Sequence, residues 1–276
     1  MPALAPAELL AAYDAQLRAH IPDPLPAGEV VERDGPVLRF LSPKGQGWVL
    51  YRDLGGLDGA DLDALIARQV AAFSARGQPF EWKLHGHDRP ADLPDRLDAA
   101  GFKAEDVETI LIAEVAAIAA GVELPDGVTL REVRDRADLD RIAALEAEVW
   151  GEDMADFAEI LDDELRADPD GLVVVVAETG ERAVCAAWAR FPSHTEFATF
   201  WGGATLEAWR GRGIYRATVA HRANLAAARG IRYIEVDASD DSRPILERLG
   251  FVPVTTTTPY VWSPGQAADA ASGGEP

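Results

Sequence analysis

The sequence is poor in cysteine and in positive charge, and it has no long uninterrupted apolar run. Its single cysteine, Cys185, rules out a disulfide within the chain, which fits a cytoplasmic protein. Lysine and arginine number 26 against 47 aspartates and glutamates, for a net charge of −21. Binding to nucleic acid or to an anionic membrane draws largely on basic side chains that displace counterions, so both partners are disfavoured. Acidity suits a cationic small substrate, but an acidic solvated surface has the same composition, so charge does not choose the substrate. Glu8 and Asp14 interrupt the first apolar stretch, so residues 7–19 read as an amphipathic helix and not as a secretion leader, and no segment reads as a membrane span. His85-Gly86-His87-Asp88 offers alternating ligands, but no third and fourth ligand follows at a recognisable spacing, so no metal is expected.

A length of 276 residues is enough for about two domains. The most informative stretch is Arg210-Gly211-Arg212-Gly213-Ile214-Tyr215-Arg216, between a strand-like run at 196–206 and a helix-like run at 214–229. The first turn of a helix leaves N–H groups without partners and carries partial positive charge, and glycine lets the backbone close on a phosphate. Arginines add charge-assisted bonds. Downstream, 231–237 reads as a strand, 238–241 as a polar loop, and 242–249 as a short helix stopped by Gly250, after which Phe251 opens another strand.

This order, with Arg210 to Arg216 and then Leu246-Glu247-Arg248-Leu249-Gly250-Phe251, resembles the Gcn5-related N-acetyltransferase (GNAT) superfamily over residues 128–262. The resemblance implies an α/β fold, a mixed and mostly antiparallel sheet flanked by helices. It also implies acetyl-coenzyme A as acyl donor, bound through its pyrophosphate by Arg210, Gly211, Arg212, Gly213, Ile214, Tyr215 and Arg216. Thr205 and Leu206 at the end of the preceding strand, and Ser242 at the start of the later helix, are the further expected contacts. Two positions depart from the family pattern. Tyr215 stands where glycine or alanine is usual, and Leu246 replaces the tyrosine that protonates the departing thiolate in many members. Tyr215 and Tyr260 remain as candidate acids.

The first half repeats the plan in faded form. Ala75-Arg76-Gly77 and the strand-like 80–84 match Ala228-Arg229-Gly230 and 233–237 at an offset of 153, and Leu97 to Phe102 match Leu246 to Phe251 at 149. Two ordered matches imply tandem domains. We expect a degenerate copy at 1–120, a linker at 121–127, the acetyltransferase domain at 128–262 and a disordered tail at 263–276. The same offset sets Leu57-Asp58-Gly59-Ala60-Asp61-Leu62 opposite the phosphate loop. Two aspartates there repel a pyrophosphate, so the first copy is not expected to hold coenzyme A.

Acetyl transfer to an amine needs a base. Carried across by 153, the apolar Phe80, Trp82 and Leu84 become Tyr233, Glu235 and Asp237, as though a core face had gained two acids. Glu235 and Asp237, lining a cleft, are therefore the candidate bases, with Glu196 next; a register one residue out would instead set both acids on a solvated face. The Glu146 and Glu148 pair reads as solvated helix surface, and Trp48, Trp82, Trp150 and Trp188 read as core. The expected activity is acetyl transfer from acetyl-coenzyme A to a primary amine of a small molecule. The alternative is a non-catalytic acyl-coenzyme A binding or regulatory protein. Neither the acceptor nor the oligomeric state is legible.

Overall fold

A computed structural model describes residues 5–119, 121, 123–151 and 153–265. Most of the expected tail, from 266 on, lies outside the described residues. In chain order the first half forms α1 (Pro6–Gln16), β1 (Val30–Asp34), β2 (Val37–Leu41), β3 (Gly47–Leu50), α2 (Gly59–Ser74), β4 (Phe80–His85), α3 (Leu93–Ala99), β5 (Lys103–Ala104), β6 (Glu108–Glu114) and α4 (Val115–Ile118). The second half forms β7 (Thr129–Val133), α5 (Arg136–Trp150), α6 (Phe157–Ala167), β8 (Leu172–Thr179), β9 (Arg182–Arg190), β10 (Phe197–Thr205), α7 (Ile214–Ala228), β11 (Tyr233–Ala238), α8 (Arg243–Leu249) and β12 (Val252–Trp262).

Contacts divide the chain into two compact units that do not follow the linear boundaries expected from sequence. One unit takes 7–21, 28–110 and 254–276; the other takes 1–6, 22–27 and 111–253. Most of β12 thus joins the unit of the first half, where Trp262 to Thr257 run antiparallel along Phe80 to His85 of β4. Most of β6 is counted with the second half. A local pattern cannot reveal such pairing, because strand partners are chosen by distant residues. Here the partners are aromatic, and Tyr260 and Trp262 enter one cluster with Phe80, Trp82 and Phe102.

Each unit contains the same β–α–β–α sequence. In the first-half unit, β3 and β4 run parallel from Gly47↔Phe80 to Val49↔Trp82. In the other, β10 and β11 run parallel from Phe197↔Tyr233 to Thr199↔Glu235. The pairings of β1 with β2, β2 with β3, β7 with β8, β8 with β9, and β9 with β10 are antiparallel. Both connecting helices end alike: Gln78 N–H bonds Phe73 O at 3.1 Å, and Ile231 N–H bonds Ala226 O at 3.0 Å. The glycine between each pair, Gly77 or Gly230, has a φ of +63° or +72°, the left-handed turn that glycine adopts without a Cβ penalty.

The repeat slips by one residue after that turn. On β4 the residues that share a core with α2 and α3 are Phe80, Trp82 and Leu84. On β11 the residues that share a core with α7 and α8 are Ile234, Val236 and Ala238. Because side chains alternate across a strand, Glu235 and Asp237 lie on the face away from α7, not on the face that Phe80 and Trp82 occupy. The expectation of an apolar core face turned acidic is corrected accordingly.

Candidate active site

The parallel pairing of β10 with β11 stops at Thr199↔Glu235, while β10 continues along β9 to Thr205↔Cys185. The end of β10 therefore departs from β11, leaving a wedge between two parallel strands. A bulge between Gly202 and Ala204 bends β10 here. Gly202 and Gly203 have φ of +69° and +97°. A Cβ would come within 2.4 Å of the Trp188 ring at the first and 2.4 Å of the Tyr215 ring at the second. Both conformation and space demand glycine. Arg222 of α7, only 1% exposed, holds the bulge. Its Nη1 donates to Trp188 O at 2.9 Å and Trp201 O at 3.0 Å, and its Nε donates to Thr218 O. Burial pulls this guanidinium down to about 10, so it stays cationic at neutral pH.

The basic loop follows. A 3₁₀ turn at Glu207–Trp209 leads to Arg210, and Gly213 caps α7 with a φ of +82° and no side-chain capping bond. The first turn of α7 carries no acid, so its N–H groups face outward with neither a cap nor a competing carboxylate. Arg210 Nε donates to Thr205 O at 3.0 Å and pins the loop to the strand. The Arg212 guanidinium lies 4.7 Å from the Trp209 ring centre, and Arg216 is exposed beside Gly213, where a Cβ would meet its Nη2 at 3.4 Å. A cleft of about 390 Å³ continues along α7 and α8, lined by Arg216, Arg248 and Glu123 together with the apolar Ala217, Ala220 and Leu249. An N-terminus without a cap, two left-handed glycines and arginines on an apolar-walled cleft fit a nucleotide pyrophosphate. Ser242 sits at the start of α8, tied to Ser239 by hydrogen bonds of 3.3 Å.

The opposite face of the same strands is lined by acids and aromatics. Thr199, the partner of Glu235, is also paired with Arg190, and Arg190 binds Glu164 of α6 at 2.9 Å. That side of β10 and β11 therefore faces α6. Glu235 is buried and Asp237 half-buried there. Trp201, 41% exposed, donates its Nε1 to Thr199 at 2.8 Å. Glu196 lies at the other end of the parallel pair, beyond Phe197 and 3.6 Å from Arg232, away from the wedge.

Residues 137–251 match the model of the acetyltransferase (GNAT) family. The matched segment, which includes the Arg210–Arg216 loop and the Leu-Gly-Phe ending, is similar to the GNAT family. Among solved structures, a GCN5-related N-acetyltransferase from Kribbella flavida superimposes with a TM-score of 0.64 over 98% of this chain and 99% of its own, at 18% identity. A GCN5-related N-acetyltransferase from Sphaerobacter thermophilus gives 0.61 over 95% and 94%, at 14% identity. A tandem GNAT protein from the clavulanic acid biosynthesis pathway gives 0.58 over 87% and 84%, at 15% identity. At these identities the likeness is one of fold. No curated protein matches the sequence.

Within the GNAT frame the structure redistributes the expected acid and base residues. Leu246 is fully buried in the core with Val219, Ile234 and Phe251, so nothing at that position can donate a proton. Tyr260 belongs to the first-half unit, opposite Trp82 on β4. Its phenol is pushed up by burial and then by Asp98 and Asp95 of α3. It is a core residue of that unit. Tyr215 packs over Gly203 at the wedge, and burial raises its phenol too.

The sequence reading missed Glu146. It is 4% exposed and lies on the inward stripe of α5 with Leu139, Ile142 and Ala143, while Glu148 is on the surface and pairs with Arg182 at 3.0 Å. The spacing 139, 142, 143, 146 is the helical signal that marks the stripe. Trp150, expected in the core, is 60% exposed. Its Nε1 donates to Glu146 Oε2 at 2.8 Å.

Proposed function

We propose that this protein is an N-acetyltransferase that moves the acetyl group of acetyl-coenzyme A to a primary amine of a small molecule. The observation that carries the reading is the start of α7. It is a capless helix N-terminus with a left-handed glycine, three neighbouring arginines and no acid in its first turn, set at the end of a strand that has parted from its parallel neighbour. Arg210, Arg212 and Arg216, with the N–H groups of Gly211 to Tyr215, would hold the pyrophosphate, and Thr205 and Leu206 would border the pantetheine arm. The bound donor supplies an activated thioester carbonyl.

The chain's own residues do the rest. Arg222 and the glycine bulge fix the strand end that borders the wedge, which favours an oriented backbone over a mobile one. Glu235 and Asp237, on the face toward α6, draw in the cationic acceptor, and its proton leaves on that side. Both carboxylates take part in other polar interactions. Tyr215, at the bulge, is the remaining candidate to protonate the thiolate.

The buried Leu246, in the place of the usual acid, supports a second reading, a non-catalytic acyl-coenzyme A binding protein. Thiol release measured with a panel of primary amines separates the two. Turnover above the hydrolytic background supports the transferase. Saturable coenzyme A binding with no amine-dependent release supports the binding protein.

A further inference from the structure

Helix α5 carries one buried carboxyl, Glu146. Glu146 projects from the inward stripe of α5, and α5 packs on β9 and β10, the strands that carry the bulge. Its Oε2 accepts the Trp150 indole bond, whereas its buried Oε1 has no hydrogen-bond partner among the described residues. A buried acceptor without a partner costs stability unless a ligand or water completes it. The Trp188 Nε1 is likewise buried without a partner. Its ring covers Gly202 of the bulge and lies 5.2 Å from Phe157 of α6. The α6 side of the bulge thus offers an unused acceptor and an unused donor.

We propose that Glu146 is the base of this site: its Oε1 accepts a proton from the acceptor's ammonium group. This rests on the acetyl-transfer reading. In the step the N–H bond breaks, its electron pair stays on nitrogen as the attacking lone pair, and the proton forms an O–H bond on Glu146, from which it passes to water. Glu235 and Asp237 take part in other polar interactions. Burial pushes the Glu146 carboxyl up to about 7, opposed only by the Trp150 bond, and a base that titrates near the working pH is the efficient kind.

The charged neighbours are spoken for. On β9, Arg182 pairs with Glu148 and Arg190 with Glu164, and on α6, Asp162 pairs with Arg166. Among the described residues, Cys185 of β9 feels Glu146; its thiol is raised to about 11, mainly by burial. The acceptor class that fits is a cationic alkylamine with an apolar body and no anionic group beside the amine, since exposed Trp150 and Trp201 stand on this face.

The test is Glu146→Gln, which keeps the shape and still accepts the Trp150 bond. For an amine that the wild-type protein acetylates, kcat/KM should fall about 10²- to 10⁴-fold. The acidic limb near pH 7 should vanish, and the dissociation constant of coenzyme A should stay within about twofold, an effect near 0.4 kcal/mol. A retained limb with wild-type rate overturns the proposal. A readout that needs no turnover is the carboxyl ¹³C resonance of Glu146, assigned by its loss in the variant. It should titrate near pH 7 and shift on addition of n-butylamine. A resonance indifferent to n-butylamine overturns the proposal as well. If wild type acetylates no amine, the transfer reading fails by itself, and the carboxyl response decides the assignment of Glu146.

Discussion

The two repeats share one backbone plan and differ in what stands at the start of the connecting helix and at the mouth of the parallel pair. In the first, Asp58 stands at the N-cap of α2 without a side-chain capping bond, and Asp61 lies in the first turn. In the second, α7 is capped by Gly213 and has no acid in its first turn. Matched cap to cap, the carboxylate of one repeat replaces the left-handed glycine of the other. A helix N-terminus attracts anions; the first repeat sets carboxylates there that would repel one, and the second does not.

The mouths differ in the same sense. Beyond β4, Asp88 is bonded by Arg18 at 2.6 Å, by Tyr51 at 2.6 Å and by the N–H of His85 at 2.8 Å, and Tyr51 also accepts from Trp82. His85 in turn lies 2.9 Å from the Tyr13 hydroxyl. The histidine motif belongs to a hydrogen-bonded network of the first-half unit. In the second, the end of β10 carries Gly202, Gly203 and Ala204, and Arg222 bonds the carbonyls of Trp188 and Trp201 there. Even the buried polar residue of the helix is reused. Gln69 and Arg222 stand 153 apart and each bonds the carbonyl four residues back, but Gln69 turns to Arg39 and Asp34 and Arg222 to the bulge.

Breaking the contrast at its charged end should have the largest effect. Arg210→Gln, Arg212→Gln and Arg216→Gln together remove charge-assisted bonds of roughly 1.5–3 kcal/mol each, so coenzyme A affinity measured by calorimetry should fall at least about a hundredfold. Retained affinity would move the anion site elsewhere.

The pH response should differ between repeats in sign. His85, driven down to about 2 mainly by burial, is neutral in the folded protein. Its stability is present above the unfolded value near 6.5 and is lost as pH falls, roughly 3 kcal/mol by pH 4.5. Glu146 runs the other way. With its folded value raised to about 7, its stability is complete below the unfolded value near 4.5 and is lost as pH rises, also about 3 kcal/mol by pH 7. Denaturant unfolding of wild type against His85→Gln and Glu146→Gln across pH 4–8 checks both. Parallel curves for wild type and variant would contradict the assignment. The smallest effect is expected from Asp58→Asn with Asp61→Asn, which should leave coenzyme A affinity within about twofold, near 0.4 kcal/mol; a tenfold loss would give the first repeat a share in donor binding.

Much of this was legible without the structure, for identifiable reasons. The Arg210–Arg216 loop, the Leu-Gly-Phe ending and the repeat rest on local signals: glycines at left-handed positions and helical or alternating apolar spacing. The exchange of β6 and β12 between units was hidden because strand partners such as Tyr260 and Trp82 are set by long-range packing. The face of Glu235 was misread because the offset of 153 was carried through a one-residue slip. Ile234, Val236 and Ala238 already alternate as an apolar face, and that period should have outweighed the offset. Glu146 escaped because charge was taken as a sign of exposure, although it falls seven residues after Leu139 and four after Ile142.

The most direct test of the account is the stoichiometry of coenzyme A binding to the whole chain by calorimetry. The account predicts one site per chain, abolished by Gly213→Val and indifferent to Asp58→Asn. Two equivalent sites, or a single site that survives Gly213→Val, would contradict it.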